Sequence, residues 1–273
     1  MEDKIPMILK EAGASWDRVK DIKPLIYHIT NFVAMPEQAH ATLAIGASPV
    51  MALSEDESGE MCSNADALLI NIGTPSKEQL KAMIKAQKVA NKKGIPVLLD
   101  PVGYGATEFR NFVVNKILKK GKVSVIKGNS GEILALSGKK GVVRGVDSLD
   151  DNHKLNLVTT LKELSRKYNS ILIATGKEDL LTDGKKTILV SGGSHLIKYI
   201  TGSGCILGSV IASILGTGSD LFIASISGLV AFKIISEKAK DKGIGTFRVK
   251  IFDELFTLRG DEIANRRECL RWI

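Results

Sequence analysis

The sequence predicts an α/β protein in which a mostly parallel central sheet is covered by helices on both faces. Three observations lead to this prediction. Short apolar runs typical of buried strands alternate with amphipathic stretches typical of helices. The chain contains 26 glycines, which suit the tight turns that join such elements. No proline-rich linker or low-complexity tract interrupts residues 1–273, so we expect a single domain.

Seven apolar runs are predicted to be strands, and they read, in chain order, PLIYHI, ASPVMA, ADALLINIG, IPVLLD, KVSVIKG, SILIATG and KTILVSGG. Between the third and fourth runs a helix is predicted from Ser76 to Lys93, because Ser76 and Gln79 have capping-box spacing and Gly94 can end the helix. A second helix is predicted from Asp151 to Tyr168, with Leu157, Val158, Leu161 and Leu164 facing the core.

The late stretch LFIASISGLVAFKII is the most apolar part of the chain, and it is predicted to be a buried helix. It is shorter than the roughly 18 residues that cross a bilayer, and it contains Lys233. We therefore expect no membrane segment.

Charge and cysteine content narrow the choice of function. The net charge is +8, but the lysines are interleaved with acids and no basic cluster is joined by stacking aromatics, so we expect no nucleic-acid partner. A basic protein also suits a phosphorylated ligand.

Cys62, Cys205 and Cys269 are too few and too scattered for a disulfide framework or a zinc site. Together with an acidic N-terminus unlike a signal peptide, they predict a cytoplasmic protein.

Polar residues and glycines stand at five segments that are predicted to be strand ends: HITN, DPVGYGAT, IKGNSGE, ATGKED and ITGSGC. Ligands of a doubly wound sheet bind beyond the carboxyl ends of its strands. This pattern therefore predicts a ligand site at that edge of the sheet.

The segment ITGSGC favours a phosphate site. Gly202 and Gly204 allow close approach of the backbone, and the helix that begins near Cys205 directs free N–H groups outward. The spacing does not match a dinucleotide fingerprint, and the chain contains no Walker A sequence. A glycine turn that merely caps a buried helix stays an alternative.

Cys205 would stand at that helix N-terminus, where the pKa of a thiol is usually depressed. A thiolate there could attack a carbonyl or accept a proton from an alcohol. A nucleophile would need a histidine, yet none of the four lies in a motif that assigns it this role: His28, His40, His153 and His195. A small buried core residue is the third possibility.

Two further strand ends carry carboxylates. Asn129 and Glu132 have the spacing of a helix cap, but beside Lys127 they could also hold a magnesium ion or its waters near phosphates, and both roles are compatible. Asp100 directly follows an apolar strand, a costly position unless it has a partner or a metal.

Taken together, the chain resembles the hydroxyethylthiazole kinase family of ribokinase-like fold. The matching stretches are HITNFV, LAIGASPVMA, LLINIGT, VLLDPVGYGAT, IKGNSGEI, ATGKEDLLTDG, ITGSGC and GIGTF. The resemblance implies ATP- and Mg²⁺-dependent phosphorylation of the primary alcohol of 4-methyl-5-(2-hydroxyethyl)thiazole, in thiamine biosynthesis or salvage. It also implies a homotrimer whose thiazole pockets lie at subunit boundaries. The segment FVAMPEQAHATLA departs from the family, and the tail RRECLRWI matches nothing in it.

The resemblance also assigns roles to individual residues. Substrate contacts fall to Met51, Asn31 and Gly202. ATP contacts fall to Lys127, where the family usually has arginine, and to Thr175, and we add Asn129 and Gly204 to them. Cys205 occupies the position of the aspartate base of most ribokinase-like enzymes, so we expect it to accept the hydroxyl proton rather than form a covalent bond. The expected magnesium residues are Glu132 and Asp100.

Three other functions compete with this one. The nearest is a vitamin kinase of the same fold that acts on hydroxymethylpyrimidine or pyridoxal. A cysteine-dependent acyl transferase and a nucleotide-sensing protein without turnover are the others.

Overall fold

The structure is a computed structural model that describes residues 4–138 and 151–273, with only the backbone described for 151–153. Its strands are β1 (Leu25–Ile29), β2 (Ser48–Met51), β3 (Ala67–Asn71), β4 (Val97–Asp100), β5 (Val125–Asn129), β6 (Ile171–Thr175), β7 (Asp179–Thr182), β8 (Thr187–Val190) and β9 (Leu270–Trp272). All of them belong to one sheet, in the order β2-β1-β3-β4-β5-β6-β7-β8-β9.

The sheet is mostly parallel, as the sequence predicts. Every pairing from β2 to β6 is parallel, and the last three pairings, from β6 to β9, are antiparallel. Each of the seven predicted strands is present. The sequence analysis missed β7 and β9, which are short and do not stand out as apolar runs. The unmatched tail supplies β9, which extends the sheet beyond β8.

The helices are α1 (Ile5–Ile22), α2 (Met35–Ala44), α3 (Glu55–Ser63), α4 (Lys77–Lys93), α5 (Glu108–Lys120), α6 (Ser130–Leu136), α7 (Asp151–Tyr168), α8 (Ser203–Leu215), α9 (Leu221–Lys238), α10 (Ile244–Thr257) and α11 (Gly260–Ala264). They cover both faces of the sheet. Residues of α1, α8, α9 and α10 build one hydrophobic core, and residues of α4, α5 and α7 build the other. The predicted α/β layering is therefore confirmed.

The two helices predicted with their ends are also confirmed. The hydroxyl of Ser76 accepts a hydrogen bond from the backbone N–H of Gln79, and Gly94 ends α4 in the left-handed region with φ 74°. Helix α7 spans the predicted residues, and the leucines expected to face inward are buried. The apolar stretch around Lys233 lies in α9, and no helix in the described part of the chain is long and apolar enough to cross a membrane.

His28 on β1 is fully buried where the sheet packs against α8. Its Nδ1 lies 3.0 Å from the carbonyl oxygen of Ile26, which can only accept, so Nδ1 carries the proton. Its Nε2 then accepts from the hydroxyl of Ser209 at 3.2 Å. Burial lowers the pKa of His28 to about 4, against hydrogen bonds to backbone carbonyls that raise it. The imidazole is therefore neutral in the folded protein at neutral pH.

This burial makes the free energy of unfolding depend on pH. The unfolded chain binds a proton at His28 from about pH 6.5 downward, whereas the folded protein does so only near pH 4. Stability is thus complete above pH 6.5 and is lost as the pH falls, by about 2 kcal/mol at pH 5 from this residue alone. Urea unfolding at pH 7.5 and pH 5 should show a smaller loss in His28→Gln than in the wild type. An equal loss in both proteins would contradict the assignment.

Candidate active site

A cleft of about 230 Å³ lies where the carboxyl ends of β4, β5 and β6 meet the beginning of α8. Its lining comprises Asp100, Val102, Lys127, Asn129, Glu132, Thr175, Gly202, Ser203, Gly204 and Cys205. Every site residue predicted from the sequence is in this set except Met51 and Asn31. Three of the five predicted strand ends, those of β4, β5 and β6, thus come together as expected. The segment ITGSGC also reaches the cleft, but its prediction as a strand end was wrong, because it follows a 3-10 helix (His195–Tyr199).

The glycine turn before α8 is required by close packing. Gly202 is the N-cap of α8 and adopts the left-handed region with φ 78°. A Cβ atom at this position would lie 2.7 Å from the Cβ of Ala34, which no real contact permits. The first N–H groups of α8 have no acceptor within the helix, and they begin at the cleft. The N–H groups of Ser203 and Ile206 donate to backbone carbonyls, so those of Gly204 and Cys205 are the ones left without a backbone acceptor. Binding of an anion there stays a prediction.

A buried ion pair lies beneath this turn. The Nζ of Lys127 is 3.0 Å from Oδ2 of Asp100 and donates to the carbonyl oxygen of Gly204 at 3.0 Å. Both charged residues are only 2% exposed. Burial lowers the pKa of Lys127, but the charges of Asp100, Cys205 and Glu132 and the hydrogen bond to Asp100 together outweigh it, so the pKa is raised and the lysine stays protonated. Burial also raises the pKa of Asp100, against the charge of Lys127 and the hydrogen bonds from Lys127 and Asn71. At a separation of 3.0 Å these donors stabilise the ionised carboxylate, and Lys127 places a positive charge at the base of the cleft.

The buried carboxylate of Asp100 is paired with polar partners, as its position after an apolar strand requires. Besides Lys127, its Oδ2 accepts from Nδ2 of Asn71 at 3.0 Å. Of the two explanations that the sequence left open, a partner or a metal, the structure shows the partner. Its role as a magnesium residue stays a prediction.

Asn71 is a site residue that the sequence analysis missed. Its Nδ2 also donates to Sγ of Cys205 at 3.2 Å, and its Oδ1 accepts from Nδ2 of Asn31 at 2.7 Å and from the N–H of Gly73 at 2.9 Å. All four hydrogen-bonding positions of the amide are used. The sequence did contain a pattern that could have identified Asn71. It is a polar residue at the end of an apolar strand, as Asp100 is, and the two residues are direct neighbours in the pairing of β3 with β4.

The environment of Cys205 corrects one prediction. The helix N-terminus was expected to depress the pKa of the thiol, but burial raises it, and the charge of Asp100 raises it further. The charge of Lys127 and the amides of Asn31 and Asn71 oppose this rise without cancelling it. The prediction failed because Cys205 is only 9% exposed, so loss of hydration outweighs the helix terminus.

Asn129 and Glu132 form the helix cap that their spacing allowed. Oδ1 of Asn129 accepts from the N–H of Glu132 at 2.9 Å, and Oε2 of Glu132 accepts from the N–H of Asn129 at 2.8 Å. The other oxygen, Oε1, accepts from the N–H of Gly103 at 2.7 Å. Burial raises the pKa of Glu132, and the nearby charge of Asp100 adds to this. Glu132 thus caps α6 and lines the cleft as well.

The remaining predicted site residues, Thr175, Asn31 and Met51, lie at the edge of the cleft or outside its lining. Thr175 ends β6 and donates from Oγ1 to the carbonyl oxygen of Gly128 at 3.2 Å. Asn31 is buried behind the cleft, where its Nδ2 lies 3.4 Å from Sγ of Cys205. Met51 is half-buried on β2, an edge strand of the sheet, and does not line the cleft.

No described histidine side chain is bonded to the sulfur of Cys205. The Nε2 of His28 is taken by Ser209, one turn further along α8. The side chain of His153 lies outside the described residues. Among the described side chains there is thus no histidine base for a cysteine nucleophile, which disfavours the acyl transferase.

Sequence comparisons with known proteins identify the family of this chain. The model of the hydroxyethylthiazole kinase family matches residues 16–261. The chain is 45% identical to a hydroxyethylthiazole kinase of Caldivirga maquilingensis, over 96% of this chain and 95% of the relative. It is 46% identical to one of Thermoanaerobacter pseudethanolicus, over 92% and 96%.

Solved structures give the same result. The hydroxyethylthiazole kinase of Pyrococcus horikoshii superposes with a TM-score of 0.86 at 37% identity, over 96% of this chain and 98% of that one. A pyridoxal kinase of Staphylococcus aureus superposes with a TM-score of 0.59 at 15% identity, over 81% and 90%. At that identity the second likeness concerns the fold alone.

Proposed function

The chain belongs to the hydroxyethylthiazole kinase family, and we propose that it transfers the γ-phosphoryl group of ATP to the primary alcohol of 4-methyl-5-(2-hydroxyethyl)thiazole. One observation carries the proposal: a single cleft contains the anion-binding start of α8, a fixed lysine charge and a buried sulfur. Phosphoryl transfer needs these parts, because the protein mainly positions the groups and neutralises charge. The other vitamin kinases are less favoured, since the pyridoxal kinase shares the fold at only 15% identity.

The phosphate end of the nucleotide is assigned to the glycine turn and its surroundings. The backbone N–H groups of Gly204 and Cys205 can donate to phosphate oxygens, because the N–H of Ile206 already donates to the carbonyl oxygen of Gly202. Lys127 uses two of its three donor positions on Asp100 and Gly204, which leaves one for a phosphate. Asn129 and Thr175 border the same cleft from β5 and β6. Positive charge on Lys127 then attracts ATP without the bidentate geometry of an arginine.

Glu132 is the residue best suited to magnesium. Each of its oxygens accepts one backbone N–H and retains a lone pair, and the residue borders the cleft. Within residues 4–138 and 151–273 no group of three or more histidine, cysteine, aspartate or glutamate residues could enclose a metal. This fits Mg²⁺, which keeps waters and binds through one or two carboxylates and the substrate phosphates. When bound, Mg²⁺ would neutralise phosphate charge.

Cys205 is assigned the proton of the substrate hydroxyl. Its sulfur accepts hydrogen bonds from two amide groups, those of Asn31 and Asn71, which stabilise the thiolate. Because burial raises the pKa of the thiol, only a small fraction is thiolate at neutral pH. Turnover should therefore rise with pH.

The thiazole is placed beside Gly202, Asn31 and Met51, and we propose that a second subunit completes this side of the site in a homotrimer. Phe32 and Val33 directly follow Asn31, and they are 64% and 60% exposed. Apolar side chains that project next to a site are typical of an interface. We also propose that residues 1–273 form one domain, and that the enzyme works in the cytoplasm, where its free, buried cysteines stay reduced.

The direct test supplies the purified protein with ATP, Mg²⁺ and one alcohol at a time: hydroxyethylthiazole, hydroxymethylpyrimidine or pyridoxal. Mass spectrometry should detect phosphorylated hydroxyethylthiazole as the dominant product. A dominant product from another alcohol would identify a different kinase, and nucleotide binding without any product would support the sensing protein.

Variants of Cys205 test the proton acceptor. Cys205→Ser should lower the single-turnover rate by roughly 10²–10⁴-fold, the usual contribution of a positioned base, while ATP affinity barely changes. Cys205→Asp should retain activity and lose the rise with pH, because a carboxylate is already ionised at neutral pH. A fully active serine variant would reduce Cys205 to a packing residue. An inactive but folded aspartate variant that binds ATP would contradict the base assignment.

Glu132→Gln separates metal binding from helix capping. The glutamine can accept only one of the two N–H groups, so we expect a loss of about 1 kcal/mol in unfolding free energy. The Mg²⁺ concentration for half-maximal activity should rise by at least roughly tenfold as the carboxylate is lost. Glu262→Gln is a matched control, since Glu262 fills the same capping position in α11. Equal magnesium dependence in both variants would restrict Glu132 to capping.

A further inference from the structure

Helix α9 carries a polar stripe that phosphoryl transfer does not account for. Lys233, Ser236 and Glu237 are spaced i, i+3 and i+4 and therefore share one face of the helix. Lys233 is only 8% exposed in a helix that is otherwise almost entirely apolar. A charge in such a position is costly unless it is paired. The residue that pairs with Lys233 therefore shows which part of the fold this face of α9 contacts.

Lys233 is paired with Asp179, the first residue of β7. The Nζ of Lys233 lies 2.9 Å from Oδ2 of Asp179, and both side chains are almost completely buried. The other oxygen, Oδ1, accepts from the N–H of Gly176 at 2.9 Å. Asp179 thus joins the helix to the turn of residues 176–178, which links β6 to β7. The Nζ of Lys233 is also 3.5 Å from the carbonyl oxygen of Lys177 in that turn.

The rest of the stripe holds a second turn. The hydroxyl oxygen of Ser236 accepts from the N–H of Ser194 at 3.0 Å, and Oε1 of Glu237 accepts from the N–H of Gly193 at 2.6 Å. A Cβ atom at Gly193 would lie 3.0 Å from Cδ of Lys233, so this turn packs on the lysine stem. The turns that follow β6 and β8 are therefore fixed to one helical face.

The first of these turns borders the cleft. Thr175 directly precedes Gly176 and lines the cleft, whereas neither Lys233 nor Asp179 lines it. A buried ion pair generally stabilises a fold less than apolar packing of similar volume does. Its presence here therefore fits a geometric requirement better than a need for stability.

We propose that Lys233, acting through Asp179, is a positioning residue for the nucleotide: the pair holds the turn of residues 176–178, and with it Thr175, at the edge of the ATP site. The inference rests on the proposed function only in taking ATP as the nucleotide bound beside Thr175. It assigns Lys233 no contact with the alcohol or with Cys205.

The test compares nucleotide binding with turnover in Lys233→Met, which keeps the aliphatic stem and removes the charge. The KM for ATP, and the Kd for ADP from isothermal titration, should rise by roughly tenfold or more. The turnover number and the KM for hydroxyethylthiazole should change by less than roughly threefold. Lys238→Met is the matched control, because Lys238 lies on the same helix but pairs with Glu254 and Glu262. It should leave nucleotide affinity unchanged.

Lys233→Met leaves the carboxylate of Asp179 buried without a counter-ion, so this variant can unfold. The double variant Asp179→Asn/Lys233→Met removes both charges, keeps an acceptor for Gly176, and should fold with the same weakened ADP binding. Wild-type ADP affinity in this variant, or equal losses in turnover and both KM values, would overturn the proposal. A wild-type protein that binds ADP but phosphorylates no alcohol would refute the proposed function alone, because the comparison of ADP affinities would still decide the role of Lys233.

Discussion

The buried ion pair between Lys127 and Asp100 is the interaction on which the rest of the site depends. It joins the ends of β4 and β5, and through the carbonyl of Gly204 it also holds the first turn of α8. Two charges that are 2% exposed are tolerated only because each has a counter-ion and further hydrogen bonds. Removal of either charge would leave the other uncompensated beneath the glycine turn that precedes α8.

The direction of the hydrogen bonds around Cys205 follows from this pair. Asp100 accepts from Lys127, so the amide of Asn71 must present its Nδ2 to Asp100. The N–H of Gly73 requires the opposite end of Asn71 to be the oxygen, which in turn accepts from Asn31. The sulfur of Cys205 therefore faces two N–H donors and acts as an acceptor toward both. These two donors support the proposed role of Cys205 as the proton acceptor.

The sequence predicted what depends on local pattern. Strand ends, caps and the glycine turn are encoded by neighbouring residues, so the predicted parallel strands and eight of the cleft residues were found. What depends on distant partners was not predicted. The sulfur of Cys205 is buried by segments far along the chain, so the local effect of the helix terminus gave the wrong direction for its pKa. Asn71 looked like the end of a strand, and Lys233 served only to argue against a membrane helix, because their partners lie 29 or more residues away. Strand β9 was missed for the same reason, since its partner strand β8 lies about 80 residues earlier in the chain.

The central claim is that the Lys127–Asp100 pair organises the site, and a double-mutant cycle in unfolding free energy tests it most directly. Urea unfolding would be measured for Lys127→Met, Asp100→Asn and the double variant. Each single variant should lose about 3–5 kcal/mol, because one buried charge is left unpaired. The double variant should lose much less than the sum of the two, since no uncompensated charge remains. Losses below about 1 kcal/mol that simply add would show that the pair is not the organising interaction.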